Sequence, residues 1–186
     1  MQLPIWEPSK MKLFLDKRPF KWEDKYNIYY EDGSLAYTVV NQAVPKKNKF
    51  QLKKKWEVIL YNPRDMEIGR IVRTQGPLGG NVFDILLDGE NIGNITKDYG
   101  FGYTRWVLGM SGWRIFGLIG IWEYDVLDEN CIIMHAGTDG TPYADCGKYM
   151  LDIYYENNEL TAMLVVLGME AANTLVKPDK RRTRRR

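Results

Sequence analysis

Three side chains in this sequence could form a histidine–thiol pair or supply the nitrogen and sulfur ligands of a metal site: the single histidine, His135, and the two cysteines, Cys131 and Cys146. One histidine cannot form a two-histidine metal site, and a histidine-activated nucleophile would need one of the cysteines. On a predicted strand, His135 and Cys131 are four residues apart, so they share a face but lie about 13 Å from each other at about 3.3 Å per residue. That separation excludes a hydrogen bond or a shared metal ion. We therefore predict no catalytic residue and no metal site here.

Glycine-rich segments and acidic loops are further candidate ligand sites. Segments 76–80 and 100–102 have glycines in the manner of phosphate-binding loops, but neither leads into a predicted helix whose N-terminus would hold the phosphate. Residues 139–141 and Asp145 offer oxygen atoms without the twelve-residue pattern and final glutamate of a calcium loop. The sequence therefore predicts no bound cofactor and no enzymatic activity.

Concentrated positive charge is the strongest chemical signal in the chain. Segment 46–55 holds six lysines with Phe50 and Leu52 among them, and the tail 177–186 holds seven basic residues and one acidic residue. The whole chain has a formal net charge of +2, so removing the +6 of the tail leaves 19 basic and 23 acidic residues, or −4. Basic residues interleaved with apolar ones suit an anionic membrane surface, where each charge contributes about 1 kcal/mol. The predicted binding residues are Lys46, Lys47, Lys49, Lys53, Lys54, Lys55, Arg181, Arg182, Arg184, Arg185 and Arg186.

Other roles of these basic segments stay open at this point. Lysines also protect an exposed strand edge from aggregation, and segment 46–55 fits that role too. The tail fits a solvated terminus without a partner, and it also fits attraction to an acidic macromolecule or to nucleic acid. The expected partner is therefore a polyanion, with a membrane surface first and nucleic acid not excluded.

Composition sets the scale of the fold that must position these segments. With 186 residues, 45% of them apolar and 13% aromatic, the chain can bury a substantial core in one domain. We expect that domain to cover residues 1–176, with 177–186 as a disordered basic tail. Two cysteines and the absence of a signal-peptide pattern near Pro4 and Pro8 favour a reducing cytoplasm, with peripheral association at the membrane.

Strands dominate the first 155 residues. Alternating apolar and polar residues flank short polar turns and predict hairpins, with turns at 31–34, 62–65, 88–91 and 128–130. A strand over Met11–Leu15 is predicted at a sheet edge because Pro4, Pro8 and Pro19 surround it. The alternation after Thr96 stops at Lys97 and Asp98, and the glycine-bracketed segment 98–102 is predicted to be a loop.

The one long predicted helix covers residues 159–176. Leu160, Leu164 and Leu167 project to one side of this helix, while Val165 and Met169 project to the other, so it is apolar nearly all round. Such a helix must be enclosed by protein or by lipid. We predict a mainly β protein, in which a closed antiparallel barrel of about twelve strands encloses this hydrophobic C-terminal helix and Glu170 lies near a barrel mouth.

Several segments resemble one protein family. They are similar to the opening hairpin and the closing segment of the LURP-one-related and YxjI-like proteins, and they comprise residues 29–39, 113–115, 124–126, 149–154 and 160–172. The resemblance spans about residues 11–176 and implies the tubby C-terminal-like fold, a twelve-stranded barrel around a hydrophobic helix that is shared with phospholipid scramblases. Its motifs are patterns of strand and turn, and segment 46–55 and the tail lie outside them.

The function indicated by charge and resemblance together is binding. Because some tubby-like barrels bind phosphoinositides, we expect a non-enzymatic module that recognises anionic lipid headgroups. A scramblase-like membrane protein in which residues 160–176 cross the bilayer is the first alternative, although these seventeen residues span only about 25 Å of a hydrocarbon core of about 30 Å. A nucleic-acid-binding protein that uses the basic tail is the second. Nothing in the sequence sets the oligomeric state.

Overall fold

Strands and a single helix make up the structure, a computed structural model that describes residues 11–15, 25–44, 55–75, 81–99, 104–110, 112–119, 122–138 and 149–175. The strands are β1 (Met11–Leu15), β2 (Lys25–Tyr30), β3 (Leu35–Val44), β4 (Lys55–Tyr61), β5 (Glu67–Gln75), β6 (Asn81–Leu87), β7 (Glu90–Tyr99), β8 (Thr104–Leu108), β9 (Trp113–Leu118), β10 (Glu123–Asp128), β11 (Cys131–Thr138) and β12 (Tyr149–Ile153). A short 3₁₀ turn, Glu156–Asn158, leads into the helix α1 (Glu159–Leu175).

The twelve strands form one antiparallel sheet with the order β8-β7-β6-β5-β4-β3-β2-β1-β12-β11-β10-β9. Strands β8 and β9 stand at the two ends of this order, and the sheet curls around α1 into a nearly closed barrel. The predicted fold class is therefore confirmed. The predicted position of β1 is wrong, because β1 pairs with both β2 and β12 and is a central strand. The prolines that suggested an edge all fall outside its five residues, so they remove none of its ladder hydrogen bonds.

Hairpin turns connect the strands as the turn residues predict. At the β6–β7 turn, Asp88 and Gly89 both have positive φ, 51° and 85°, as the two central residues of a two-residue hairpin turn require. Strand β7 is longer than predicted: it continues through Lys97, which is paired with Trp106 of β8. A charged residue at the end of an alternating strand therefore did not mark a loop.

Helix α1 is enclosed by the barrel on all sides. All residues in 162–172 are buried, as the apolar character of every face of the helix predicts. Contact with the barrel wall is close at two glycines: a Cβ on Gly69 of β5 would lie 2.8 Å from Leu164 Cδ1, and one on Gly168 would lie 2.7 Å from Ile95 Cδ1. These glycines let the helix axis approach β5 and β7.

The two ends of α1 are held by different strands. At its beginning, Tyr37 Oη of β3 donates a 2.6 Å hydrogen bond to Glu159 Oε1, and the acidic side chain suits the positive end of the helix dipole. At its end, Lys97 Nζ of β7 donates to Asn173 Oδ1 over 3.2 Å. We call the end of the barrel near Asn173 the C-terminal mouth. Within the described part of the chain, no helix combines the length and the apolar character that crossing a bilayer requires.

Candidate functional site

The C-terminal mouth is where both predicted basic segments join the barrel. Val44, the last residue of β3, is paired with Lys55, the first residue of β4, so the segment between them starts and ends at one place. Strands β4, β5, β6 and β7 are paired in that order, and Lys97 of β7 lies at the same end of the sheet as Lys55. Lys97 contacts Asn173 in the last turn of α1. The tail continues from that turn. The attachment points of both basic segments therefore lie at one end of the molecule.

Most of the predicted binding residues lie outside the described residues. This holds for Lys46, Lys47, Lys49, Lys53, Lys54, Arg181, Arg182, Arg184, Arg185 and Arg186, whereas Lys55 is described only for its backbone. Segments 76–80 and 100–102, residues 139–145 and Cys146 also lie outside them. The structure thus positions the attachment points of the basic segments, and the side chains that can be analysed are those of the mouth itself.

Inward-facing residues change from apolar to polar as the strands approach the C-terminal mouth. On β5 the buried Ile71 is followed two residues later by Arg73, and on β7 the buried Ile95 is followed by Lys97. Alternate residues of a strand face the same way, so these polar side chains point into the barrel. The residues of this kind on β2, β3, β5, β6 and β7, which we call the polar collar, are Tyr26, Asn41, Arg73, Asn81 and Lys97.

The polar collar surrounds the last turns of α1. Its members do not lie in one row across the sheet. Tyr26 is paired with Val39, whereas the pair formed by Arg73 and Phe83 lies further toward the mouth. Strands tilt in a barrel, so a stepwise offset of this kind from β2 to β7 keeps residues at a similar height along the axis. The collar is therefore a polar layer on these five strands, and the buried Trp56 of β4 lies between its members on β3 and β5.

Lys97 caps the helix from the barrel wall. Its Nζ lies 3.2 Å from Asn173 Oδ1 and 3.5 Å from the Asn173 carbonyl oxygen, and it lies 4.8 Å from the ring centroid of Trp106. A cation is favourable beside the carbonyl end of a helix and over an aromatic face. Burial nevertheless lowers the pKa of Lys97, and the negative charge of Glu170 opposes that shift.

Glu170 brings a carboxyl group into the layer formed by the collar. It lies near the C-terminal mouth, as predicted, but it is 1% exposed, so its carboxylate does not reach solvent there. Its charge acts on two sides of the barrel: burial first, and then Glu170, raise the pKa of Tyr26 on β2, and the same charge favours the ammonium of Lys97 on β7. The helix thus places one acidic group between the collar residues of opposite walls.

Arg73 and Asn41 retain hydrogen-bonding capacity. Arg73 donates from Nε over 2.9 Å and from Nη2 over 2.5 Å to a single acceptor, Asn81 Oδ1, and burial lowers the pKa of its guanidinium. Asn41 is 3% exposed, and neither atom of its amide has a hydrogen-bond partner among the described residues. A buried amide in that state costs about 1 to 3 kcal/mol. Among the described residues, Arg73 therefore has donors without an acceptor, and the Asn41 amide is enclosed without a partner.

His135 is held on the outer face by two acidic residues. Its Nδ1 lies 2.8 Å from Asp125 Oδ1, and its Nε2 lies 3.5 Å from Glu123 Oε1. The prediction that Cys131 shares this face is wrong, because a bulge in the β10–β11 pairing places His135 opposite Asp125 but Cys131 opposite Asp128, at positions that face opposite ways. In the described ranges no three His, Cys, Asp or Glu residues form a group suited to a metal ion.

A cleft of about 390 Å³ lies near the hairpin turns at the other end of the barrel, and its lining includes Glu67, Arg70 and Asp88. Arg70 is already paired with Glu57 Oε2 and with Glu67 Oε2, each at 2.7 Å. An anion there would meet carboxylates and a guanidinium that is already neutralised. The C-terminal mouth is therefore the better candidate for an anionic ligand.

Comparisons with known proteins agree with the fold. No protein-family model matches the chain. It is 22% identical over 165 residues to "Uncharacterized protein YxjI" of Bacillus subtilis (strain 168), covering 88% of this chain and 95% of that protein. An X-ray structure of a protein from Arabidopsis thaliana is similar with a TM-score of 0.52 and 12% identity, over 86% of this chain and 90% of that one. The expected likeness to YxjI-like proteins is confirmed, and the second comparison shows a shared fold.

Proposed function

We propose that this YxjI-like barrel is a non-enzymatic binding module that recognises anionic lipid headgroups, with its C-terminal mouth facing the membrane surface. One observation carries the proposal: Val44, Lys55 and the last turn of α1, from which the two basic segments continue, lie at the same end of the barrel. The resemblance to tubby-like barrels, some of which bind phosphoinositides, favours the same class of ligand.

Shared attachment at one end makes the charges of the two segments act together. The segment after Val44 and the tail contribute six lysines and seven basic residues, and each basic residue near an anionic surface contributes about 1 kcal/mol. Once one segment is bound, the second is held close to the same surface, so its binding is effectively intramolecular. Lys25, exposed at the start of β2, adds a further positive charge at this end. Segments attached at opposite ends would not gain in this way.

Vesicle co-sedimentation tests the proposal. Wild-type protein should sediment with phosphatidylserine vesicles and with phosphoinositide-containing vesicles but not with phosphatidylcholine vesicles, and sedimentation should weaken as salt is added. Deleting residues 179–186 and changing Lys53, Lys54 and Lys55 to Glu should each weaken binding, and the combined variant should bind least. Arg64→Glu, which changes an exposed residue in the turn between β4 and β5 at the opposite end, is the matched control and should bind like the wild type.

Two results would count against a lipid-binding function. The first is sedimentation with anionic vesicles no greater than with neutral ones. The second is complete displacement of the protein from vesicles by a small molar amount of double-stranded DNA, with a higher affinity for DNA than for vesicles at every salt concentration. That result would identify nucleic acid as the preferred polyanion.

A further inference from the structure

We propose that Phe116 and Leu118, which we call the apolar pair, insert into the lipid layer when the C-terminal mouth binds a membrane surface. The inference rests on the proposed function and deepens it, because it names a part of the barrel that contacts the membrane in addition to the basic segments. The occupant of this surface is the apolar part of a lipid bilayer.

The apolar pair is exposed on the outer face of β9. Phe116 is 75% exposed and Leu118 is 64% exposed, which makes them the two most exposed large apolar side chains among the described residues. Residues two apart on a strand point the same way, so these side chains are neighbours on one face. Exposed apolar residues that stand alone need no explanation, whereas contiguous ones mark interaction sites. The outer face of β9 is therefore a candidate interaction surface.

Strand β9 presents the apolar pair at an edge of the sheet. It pairs with β10 on one side, and on its other side it has no ladder partner among the described residues. Natural edge strands are usually protected by charged side chains. The charged residue of β9, Arg114, lies near the beginning of the strand, and its last three residues carry no charge. The edge is therefore apolar where β9 ends.

Leu118 ends β9 at the C-terminal mouth. Neighbouring strands of the sheet are antiparallel, and β9 is six places from β3 in the strand order, so these two strands run in the same direction. Strand β3 ends with Val44 at the mouth. The apolar pair thus lies at the end of the barrel where both basic segments are attached. Basic residues that meet anionic headgroups beside apolar residues that enter the lipid are typical of proteins that bind a membrane surface.

The acidic residues beside the apolar pair are directed away from it. On β10, Asp125 is paired with Phe116 and Glu123 is paired with Leu118. Both carboxylates contact His135 of β11, the strand on the far side of β10. Asp125 Oδ1 lies 2.8 Å from His135 Nδ1, and Glu123 Oε1 lies 3.5 Å from His135 Nε2. The negative charges therefore lie toward β11, and the apolar pair borders the edge of the sheet.

Gly117, between the two apolar residues, fixes the backbone that carries them. Its φ is 125°, a conformation that favours glycine, and a Cβ at this position would lie 2.6 Å from the Glu123 carbonyl oxygen of β10. The end of β9 is thus packed directly on its neighbour. Side chains presented by a fixed strand require less ordering when they bind, which favours insertion.

Vesicle co-sedimentation of the full chain at low and high salt tests the inference. Wild-type protein should keep part of its binding to phosphatidylserine vesicles at about 1 M salt, where the Debye length is about 3 Å and charge attraction is screened. Combining Phe116→Ser with Leu118→Ser should weaken this salt-resistant binding by about tenfold or more, because two apolar side chains no longer leave water. Met66→Ser is the matched control and should bind like the wild type, since Met66 is 52% exposed in the turn at the opposite end.

Fluorescence reports insertion directly. In a background with Cys131→Ser and Cys146→Ser, a nitrobenzoxadiazole label is attached at Phe116→Cys or at Met66→Cys. When phosphatidylserine vesicles are added, the emission of the label at position 116 should shift to the blue and be quenched by nitroxide-labelled lipids. The label at position 66 should do neither.

The outcomes separate this inference from the proposed function. If the protein binds vesicles while the label at position 116 stays in water, or if the serine variant binds like the wild type at both salt concentrations, insertion is overturned and the proposed function stands. If wild-type protein binds no anionic vesicle, the proposed function fails and insertion fails with it. A blue shift at position 116 without vesicles, in a protein that sediments as a dimer, would assign the apolar pair to a second copy of the chain and overturn insertion.

Discussion

Lys97 Nζ on β7 lies 3.2 Å from Asn173 Oδ1 in the last turn of α1, and this contact ties the end of the enclosed helix to the barrel wall. The two residues are 76 positions apart, so the contact depends on the register of the whole sheet. It places an ammonium group where the helix carbonyls carry partial negative charge. The negative charge of Glu170, one turn earlier on the helix, favours the charged form of the same ammonium and so raises its pKa.

Removing the Lys97 charge should destabilise the protein through Glu170. Lys97→Met keeps an apolar stem against Trp106 but leaves the buried carboxyl of Glu170 without this cation. We expect Glu170→Gln to recover much of the loss in the Lys97→Met background, with a coupling free energy of about 1 to 2 kcal/mol. Urea denaturation of the four proteins measures it. Strictly additive effects would show that the two charges do not interact.

Stability should fall at alkaline pH because of Tyr26. Burial and, second, the Glu170 carboxylate raise the pKa of this phenol, so the folded protein keeps a proton that the unfolded chain loses above about pH 10. The folded state then binds more protons, and the free energy of unfolding decreases as pH rises beyond that value. The contribution is fully present below pH 9.

Comparison with Tyr26→Phe isolates this contribution. The lowered pKa of Lys97 acts in the opposite direction, but it is common to both proteins and therefore cancels in the difference. The gap in unfolding free energy between wild type and Tyr26→Phe should shrink between pH 8 and pH 10.5. A gap of the same size at both pH values would mean that the Tyr26 phenol titrates normally in the folded protein.

Close packing of α1 on β5 predicts a compensating pair of substitutions. Gly69→Val should overpack the space in front of Leu164, whose Cδ1 would lie 2.8 Å from the new Cβ, at a cost of about 1 to 3 kcal/mol. Leu164→Ala alone should cost about 2 to 5 kcal/mol. In the double variant the valine occupies space that the leucine vacates, so the loss should be smaller than the sum of the two. Denaturant unfolding measures the three variants, and a loss equal to the sum would place Leu164 elsewhere.

A charge at the centre of the helix should prevent folding. Val165 is completely buried, so Val165→Asp places an unpaired carboxylate in the core at a cost of several kcal/mol, comparable with the whole stability of a domain. Thr161→Asp is the matched control, because that residue is partly exposed in the first turn of α1, where an acid is favourable. Circular dichroism and gel filtration distinguish folded from unfolded protein. A folded Val165→Asp variant would contradict the enclosed helix.

Local patterns were sufficient to predict the hairpins and the helix. Turn residues such as Asp88 and Gly89 and the apolar faces of 159–176 depend only on neighbouring positions, and the structure has the corresponding elements. The central position of β1 was not predictable in this way, because it depends on pairing with β12, more than a hundred residues away. The prolines that flank β1 give no information about its pairing with a distant strand.

The polar collar could not be assembled from the sequence because its members come together through sheet register. The predicted strand ends at Thr96 and leaves out Lys97, although Lys97 is two residues from the apolar Ile95 and would face the same way if the strand continued. Asn41 and Arg73 lie on strands separated by β4, and no local pattern relates them. A bulge, likewise invisible in the alternation, separates the faces of Cys131 and His135.

Orientation at a membrane surface is the sharpest test of the proposed function, because binding through the basic segments requires the C-terminal mouth to face the lipid. In a background with Cys131→Ser and Cys146→Ser, a nitroxide is attached at Lys25→Cys, at the mouth, or at Arg64→Cys, at the opposite turn; both positions are exposed. On addition of phosphatidylserine vesicles, electron paramagnetic resonance should show that the label at position 25 loses access to a water-soluble relaxation agent while the label at position 64 does not. Equal access at both positions with the protein bound, or protection at position 64 alone, would contradict the account.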